Sequence, residues 1–305
     1  MSTTARAAAG ELLGSAGLAA VVVGSGIAAQ RLSPSDVGLQ LFENAFATAL
    51  GLAVLILVFA PVSGAHFNPV VTLVDIALHR RPWSVAAVYL PAQVIGCVAG
   101  AVLANLMFAA PAVAWSTTDR SGWHLLLAEG VATAGLVLVI FALVRSGRSH
   151  LAAPAVGAYI GAAYFFTSST SFANPAITVG RTFTDTFAGI APASALPFIA
   201  AQLVGAAAGW AMVRALFPDP RTAEIRASAP SDGSPARPSH QGQDAGSDAR
   251  CERARCAASS SSNSSRQCSL REMPWCATSS VDSSTGKPYV SDRTNSSRPV
   301  TPSAA

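Results

Sequence analysis

The chain has 305 residues, of which 51% are hydrophobic and only 12% charged, with a net charge of +4 and a mean hydropathy of +0.41. A soluble domain carries about a quarter charged residues. Residues 1–220 fall further below that, with nine Arg, no Lys and eight Asp or Glu, which sets aside an ordinary soluble domain and reads as an integral membrane domain.

Apolar runs of about 20 residues are the transmembrane signal. Six occur, at roughly 11–29, 41–62, 84–109, 123–144, 152–168 and 195–217. The first looks like a secretory signal peptide, with Arg6 ahead of an apolar run that ends in Ala28-Ala29. Glu11 argues against that, because a signal core does not normally carry an acid. Arg6, Arg80, Arg81, Arg145, Arg148 and Arg214 fall on one side if the spans alternate, and Arg31 and Arg120 on the other. The positive-inside rule then puts both termini in the cytoplasm, for a multi-pass protein of the cell inner (plasma) membrane. Two further apolar segments, 69–78 and 175–180, are too short to cross about 30 Å of hydrocarbon and are candidates for re-entrant half-helices.

After Phe217-Pro218-Asp219-Pro220 the composition changes. Residues 221–305 are rich in Ser, Arg, Ala, Pro and Thr and almost lack Ile, Leu and Phe. Such a segment cannot bury enough apolar surface to offset its conformational entropy, so a disordered cytoplasmic tail is expected. Four of the five Cys lie there, without the close pairs of zinc modules. Cys97 reads as a small core residue.

The membrane domain repeats itself. "GELLGSAGLAAV" and "AEGVATAGLVLV" align Glu11 with Glu129, while "AQVIGCVAG" and "AQLVGAAAG" align Gln93, Gly96 and Gly100 with Gln202, Gly205 and Gly209. The halves span about 11–109 and 123–217. Three spans per half is an odd number, so the halves are inverted. The paired glycines are small-xxx-small motifs that permit close helix crossing. Between the aligned spans, Asn68-Pro69 matches Asn174-Pro175. Asn is a good N-cap and Pro suits the first helical position, so Pro69 and Pro175 each start a half-helix. Irregular backbone at that depth is tolerated only inside protein or beside water. Two inverted half-helices then meet N-terminus to N-terminus and focus positive potential at the midplane, which repels a cation or proton and lets a neutral polar molecule pass.

"SGAHFNPVVTL" and "FANPAIT", with the repeated Ala-Gln-x-x-Gly-x-x-x-Gly and the paired Glu11 and Glu129, resemble the aquaporin and glycerol-facilitator family (major intrinsic proteins) over residues 11 to about 217. The first motif departs mildly, as Asn-Pro-Val. The resemblance implies an all-α membrane protein of six transmembrane helices and two re-entrant half-helices, usually a homotetramer with one pore per subunit. It assigns Asn68 and Asn174 to the central constriction, His66 to the cytoplasmic half, Val70 and Ala176 to the pore lining, and Glu11 and Glu129 to holding the half-helix loops. In the family an Arg usually follows Asn-Pro-Ala at the outer filter; here Ile177 stands there, and Arg181 follows four residues later, placing it nearer the outer mouth with Asp185 as a possible partner. Counting back from Asn68 and Asn174 by the family's offsets gives Thr48 and Ala162, so the expected filter is Thr48, Ala162 and Ile177. That small set, with the "TDTFAGI" of residues 184–190, resembles bacterial members from arsenic-resistance settings.

The expected function is a passive channel for small neutral solutes: glycerol-like polyols, undissociated arsenite or other metalloid acids, and water. The alternative is a proton- or ion-coupled secondary transporter using Glu11, Glu43 or Glu129. No nucleophile–base pair, metal cluster, phosphate loop or cofactor motif is evident, and nothing points to a nucleic-acid partner.

Overall fold

In lipid every backbone N–H and C=O must be satisfied within its own segment, so apolar runs fold as helices. The computed structural model describes residues 1–218, and all regular structure among them is helical. Helices α1 (Thr3–Leu32), α2 (Val37–Ser63), α4 (Ser84–Met107), α5 (Trp123–Arg145), α6 (Ala152–Phe166) and α8 (Pro192–Leu216) occupy the six expected spans, and α3 (Pro69–Ala77) and α7 (Pro175–Gly180) the two short segments. The expected tail, 221–305, and its four cysteines lie outside the described residues.

Five of the long helices have the length and hydropathy to cross a bilayer. The exception is α6, which is shorter than the expected 152–168. Its 15 residues rise only about 22 Å. It stops because Thr167 adopts extended backbone (φ −113°, ψ 134°), while the Thr167 N–H and hydroxyl both donate to the Ala163 carbonyl, at 3.2 and 2.6 Å. A 3-10 turn at Ser149–Leu151 extends the other end. The start of α2 is fixed by Asp36, whose carboxylate accepts from the Leu39 N–H at 2.9 Å. Its end is fixed by Gly64 at φ 95°, a backbone conformation that costs glycine little.

The repeat is also a repeat of packing. Helix α1 lies against α4, and α5 against α8. A Cβ at Gly96 would stand 2.4 Å from the Leu12 carbonyl oxygen, and one at Gly100 2.1 Å from that of Ala16. In the second half a Cβ at Gly205 would stand 2.3 Å from the Gly130 carbonyl oxygen, and one at Gly209 2.7 Å from that of Ala134. Real side chains do not tolerate such contacts, so the glycines set how close the helices come. Cys97 is buried in this seam, its thiol 3.7 Å from the Ser15 carbonyl.

The molecule turns apolar side chains outward and polar ones inward. On α2, Phe42, Phe46, Leu50 and Val54 form an exposed stripe one turn apart, while Asn44 and Thr48 are buried. That is the reverse of a water-soluble helix and matches a lipid surround. The protein is a multi-pass integral membrane protein.

Candidate functional site

The two half-helices begin where buried carboxylates pin the loops ahead of them. Glu11 on α1 accepts four hydrogen bonds: from the Ser63 hydroxyl (2.6 Å), the His66 N–H (3.0 Å), the Phe67 N–H (2.7 Å) and the Gln93 amide (2.8 Å). Glu129 on α5 accepts the equivalent four, from the Ser169 hydroxyl (2.7 Å), the Phe172 N–H (2.9 Å), the Ala173 N–H (2.9 Å) and the Gln202 amide (2.7 Å). Each Gln amide also donates to a half-helix hydroxyl, Gln93 to Thr72 at 3.0 Å and Gln202 to Thr178 at 2.9 Å. The sequence showed the Gln pair only as a repeat and gave no role to Ser63, Ser169, Thr72 or Thr178. These residues join α4 and α8 to the half-helices.

What the carboxylates hold is strained backbone. Ala65 (φ 52°) and Phe67 (φ 49°) are left-handed, and so are their aligned counterparts Ser171 (φ 49°) and Ala173 (φ 47°). Each such non-glycine residue costs on the order of 1–3 kcal/mol and persists only when its surroundings enforce it. The reward is position. Asn68 caps α3 by accepting from the Val70 N–H at 3.0 Å, and Asn174 caps α7 by accepting from the Ala176 N–H at 2.9 Å. Their amides cross over: Asn68 donates to the Ala173 carbonyl and Asn174 to the Phe67 carbonyl, both at 2.8 Å. An amide has two N–H donors, so each Asn fixes its orientation with one and has a second to offer.

A single cavity of about 840 Å³ passes both Asn residues. Its walls come from α1, α2, α5, α6 and the half-helices, and include Leu18, Val22, Leu52, Leu136 and Ile160 on the apolar side. His66, Thr48 and Ile177 line it. Val70 and Ala176 do not: both are fully buried in the packed core, and Val71 lines the cavity instead. Helical geometry is the reason. Residue i+2 lies about 200° round from its Asn, while i+3 and i+7 return to the Asn face.

Two further expectations are corrected. Ala162 is exposed on the outside of α6, and Tyr164 lines the cavity in its place, its hydroxyl 3.2 Å from that of Thr48. The face of α6 turned to the cavity is Ala153, Val156, Ile160 and Tyr164, a helical spacing that was legible in the sequence. Arg181, expected nearer the outer mouth, is not an exposed side chain. It is only 3% exposed and lines the cavity. Its guanidinium lies 3.4 Å from the centre of the Phe172 ring, and its Nε donates to the Ala188 carbonyl. A helical side chain leans back toward its own N-terminus, which carries the long Arg181 inward from its backbone position. Asp185 does not pair with it, accepting instead from the Thr117 N–H and hydroxyl at 2.9 and 3.0 Å. In the loop between α4 and α5, hydroxyls of Ser121 and Ser194 hold the Asp119 carboxyl below its ordinary range. The guanidinium of the adjacent Arg120 lies 5.0 Å from the centre of the same Phe172 ring.

The three acids weighed for proton coupling stand off the cavity. Glu11 and Glu129 are fully buried and saturated with donors, and Glu43 accepts from Ser33 at 2.9 Å; none of the three lines the cavity. The acid that does line it is Asp75, which sequence reasoning did not single out.

Comparison with known proteins agrees with this architecture. Residues 1–173 match the family described as Major intrinsic protein. The chain is 46% identical over 221 residues to aquaglyceroporin AqpS of Rhizobium meliloti (strain 1021), covering 72% of this chain and 93% of that one. It is 36% identical over 174 residues to aquaporin NIP1-4 of Oryza sativa subsp. japonica, covering 54% and 62% respectively. Its fold matches the X-ray structure of the aquaglyceroporin from Plasmodium falciparum with a TM-score of 0.58 at 21% identity, over 73% of this chain and 99% of that one.

Proposed function

This chain belongs to the major intrinsic protein family, whose aquaporins and aquaglyceroporins are channels and not enzymes, and we propose on that premise that it is a passive pore for water, glycerol-type polyols and undissociated metalloid acids such as arsenite. The observation that carries the reading is the crossed pair of Asn amides beside one continuous cavity. Each amide has a donor to spare, and the aliphatic side chains of Leu18, Val22, Leu52, Leu136 and Ile160 line the same cavity. A polyol is itself two-sided, with hydroxyls along one edge and C–H groups along the other. Such a solute loses water on entry and regains hydrogen bonds on one side only, where the donors stand.

The outer filter in this reading is Thr48, Tyr164, Phe172, Ile177 and Arg181, with Asn68 and Asn174 as the central constriction and His66 further in. Protons and cations are excluded by two helix N-termini, each equivalent to about half a positive charge, that meet at the midplane. The name aquaglyceroporin carried by the Rhizobium relative supports glycerol among the solutes. We further read residues 1–220 as the channel domain and 221–305 as a cytoplasmic tail. The Arg-rich face is cytoplasmic by the positive-inside rule, the membrane is the inner one, and the assembly is a homotetramer.

The test is stopped-flow permeability of purified protein in liposomes for water, glycerol and arsenite, with and without a proton gradient. Gradient-independent glycerol flux well above that of empty liposomes is expected. Flux that requires the gradient would establish a coupled transporter instead, against the position of Glu11, Glu43 and Glu129 off the cavity.

A further inference from the structure

The two half-helices carry ionisable side chains at matching positions. Asn68, Val71 and Asp75 stand at i, i+3 and i+7 and all line the cavity; Asn174, Ile177 and Arg181 stand at the same intervals and do likewise. At about 3.6 residues per turn each set shares one face. The pore therefore carries a cation beyond one Asn and a carboxylate beyond the other.

The two sites are unequal in energy. Arg181 follows the C-terminus of α7, where the helix dipole favours a cation. Asp75 lies in the last turn of α3, where the dipole disfavours an anion, and its side chain is only 8% exposed. Two arginines offset this: Arg80 Nε lies 3.0 Å from one carboxylate oxygen and Arg81 Nε 3.2 Å from the other. Arg81 is itself fixed, donating to the Tyr89 hydroxyl and the Ser63 carbonyl, both at 3.1 Å. His66 Nε2 lies 3.8 Å from Asp75 while its Nδ1 meets the Thr72 hydroxyl at 3.0 Å. A carboxylate has about four lone-pair sites, and the arginines leave some of them open toward the cavity. An apolar residue at 75 would pack α3 without any of this compensation.

We propose that Asp75, with Arg80 and Arg81, forms a second selective constriction on the inner side of the pore that binds polyhydroxylated solutes through paired donor and acceptor contacts. The Asp75 carboxylate accepts from one hydroxyl of the solute while a guanidinium N–H donates to the neighbouring hydroxyl oxygen. A vicinal diol offers both groups on one rigid frame, whereas water offers a single oxygen. The pair therefore favours polyols over water, and it deepens the channel reading above, on which it rests.

The test is Asp75→Asn in liposomes, with glycerol and water permeability measured on the same preparation and normalised to inserted protein. Asn keeps the shape, removes the charge and turns an N–H toward the arginines. The ratio of glycerol to water permeability should fall by about ten-fold, the scale of one charge-assisted hydrogen bond, while water changes by less than about two-fold. If Asp75→Asn does not insert, Arg80→Gln serves, since that side chain is 48% exposed and outside the packed core; its ratio should fall in the same direction by about three-fold. A ratio that stays constant or rises overturns the inner constriction, including the case in which both permeabilities drop together, which marks Asp75 as structural. Wild-type liposomes that pass no glycerol overturn the channel reading itself, a separate result.

Discussion

Replacing Glu129 by Gln changes one of the two oxygens that hold the second half-helix. The carboxylate accepts from Ser169 and the Phe172 N–H on one oxygen, and from the Ala173 N–H and Gln202 on the other. Gln turns one of those oxygens into a donor. If the new amide faces the first pair, Ser169 can rotate its hydroxyl to accept, but the Phe172 N–H cannot move. If it faces the second pair, Gln202 can flip and present its own oxygen, which has no partner, but the Ala173 N–H cannot move. Either way one buried backbone N–H is orphaned, at about 1–3 kcal/mol. That is the scale of the strain in one left-handed residue, and the loop holds three, Thr170, Ser171 and Ala173. Glu129→Gln should lower the thermal midpoint in detergent and reduce water and glycerol permeability together, because Asn174 loses its fixed place. The assay is paired thermal unfolding and stopped-flow flux on the same preparation. An unchanged midpoint with unchanged flux would refute the clamp. Intact passive flux with loss of a gradient-driven component would refute it in favour of a proton relay.

Other outcomes follow from the same geometry. Gly100→Val should prevent stable folding, since its Cβ meets the Ala16 carbonyl oxygen at 2.1 Å, while Gly130→Ala, whose Cβ meets nothing closer than 3.8 Å, should fold normally by gel filtration in detergent. Arg181→Ala should raise the glycerol-to-water permeability ratio by widening the outer filter, and Ile177→Arg should lower it by adding a second cation beside the first; equal ratios in both variants would remove Arg181 from the filter. Deleting residues beyond 225 should leave normalised permeability within about two-fold, because the composition of that segment lacks the apolar residues of a core.

The parts of the site that were legible in the sequence are those in which a side chain's identity dictates its task. Asn before Pro caps a helix wherever it stands, whereas the loop-holding task of Glu11 and Glu129 is implied by the family resemblance and not by the repeat alone. The left-handed backbone at Ala65, Phe67 and Ala173 was not legible, since neither Ala nor Phe favours it. It is imposed by Glu11 and Glu129 from other helices, and only the assembled fold contains that constraint.

The errors have separate physical origins. Ile177, counted along α7 itself, stays on the Asn174 face, whereas Thr48 and Ala162 are both counted across a loop, and of those two only Thr48 lines the cavity. Ala162 was reached by counting back from Asn174 across the 167–174 loop, where the rise and turn per residue are not fixed. A shift of two residues there rotates the inferred face by about 200° and exchanges the exposed Ala162 for Tyr164, which lines the cavity. Arg181 failed differently. Its backbone was located correctly one turn beyond Ile177, but a side chain of that length, leaning toward the helix N-terminus and drawn to the Phe172 ring, reports on a level well inside its own Cα. The resemblance assigns Val70 and Ala176 to the pore lining, whereas the helix puts the cavity wall at the third position. Each error disappears if lining residues are required to recur at three- and four-residue steps from a fixed anchor. Applied to α3, that requirement runs from Asn68 through Val71 to Asp75, and so brings an acid to the cavity wall.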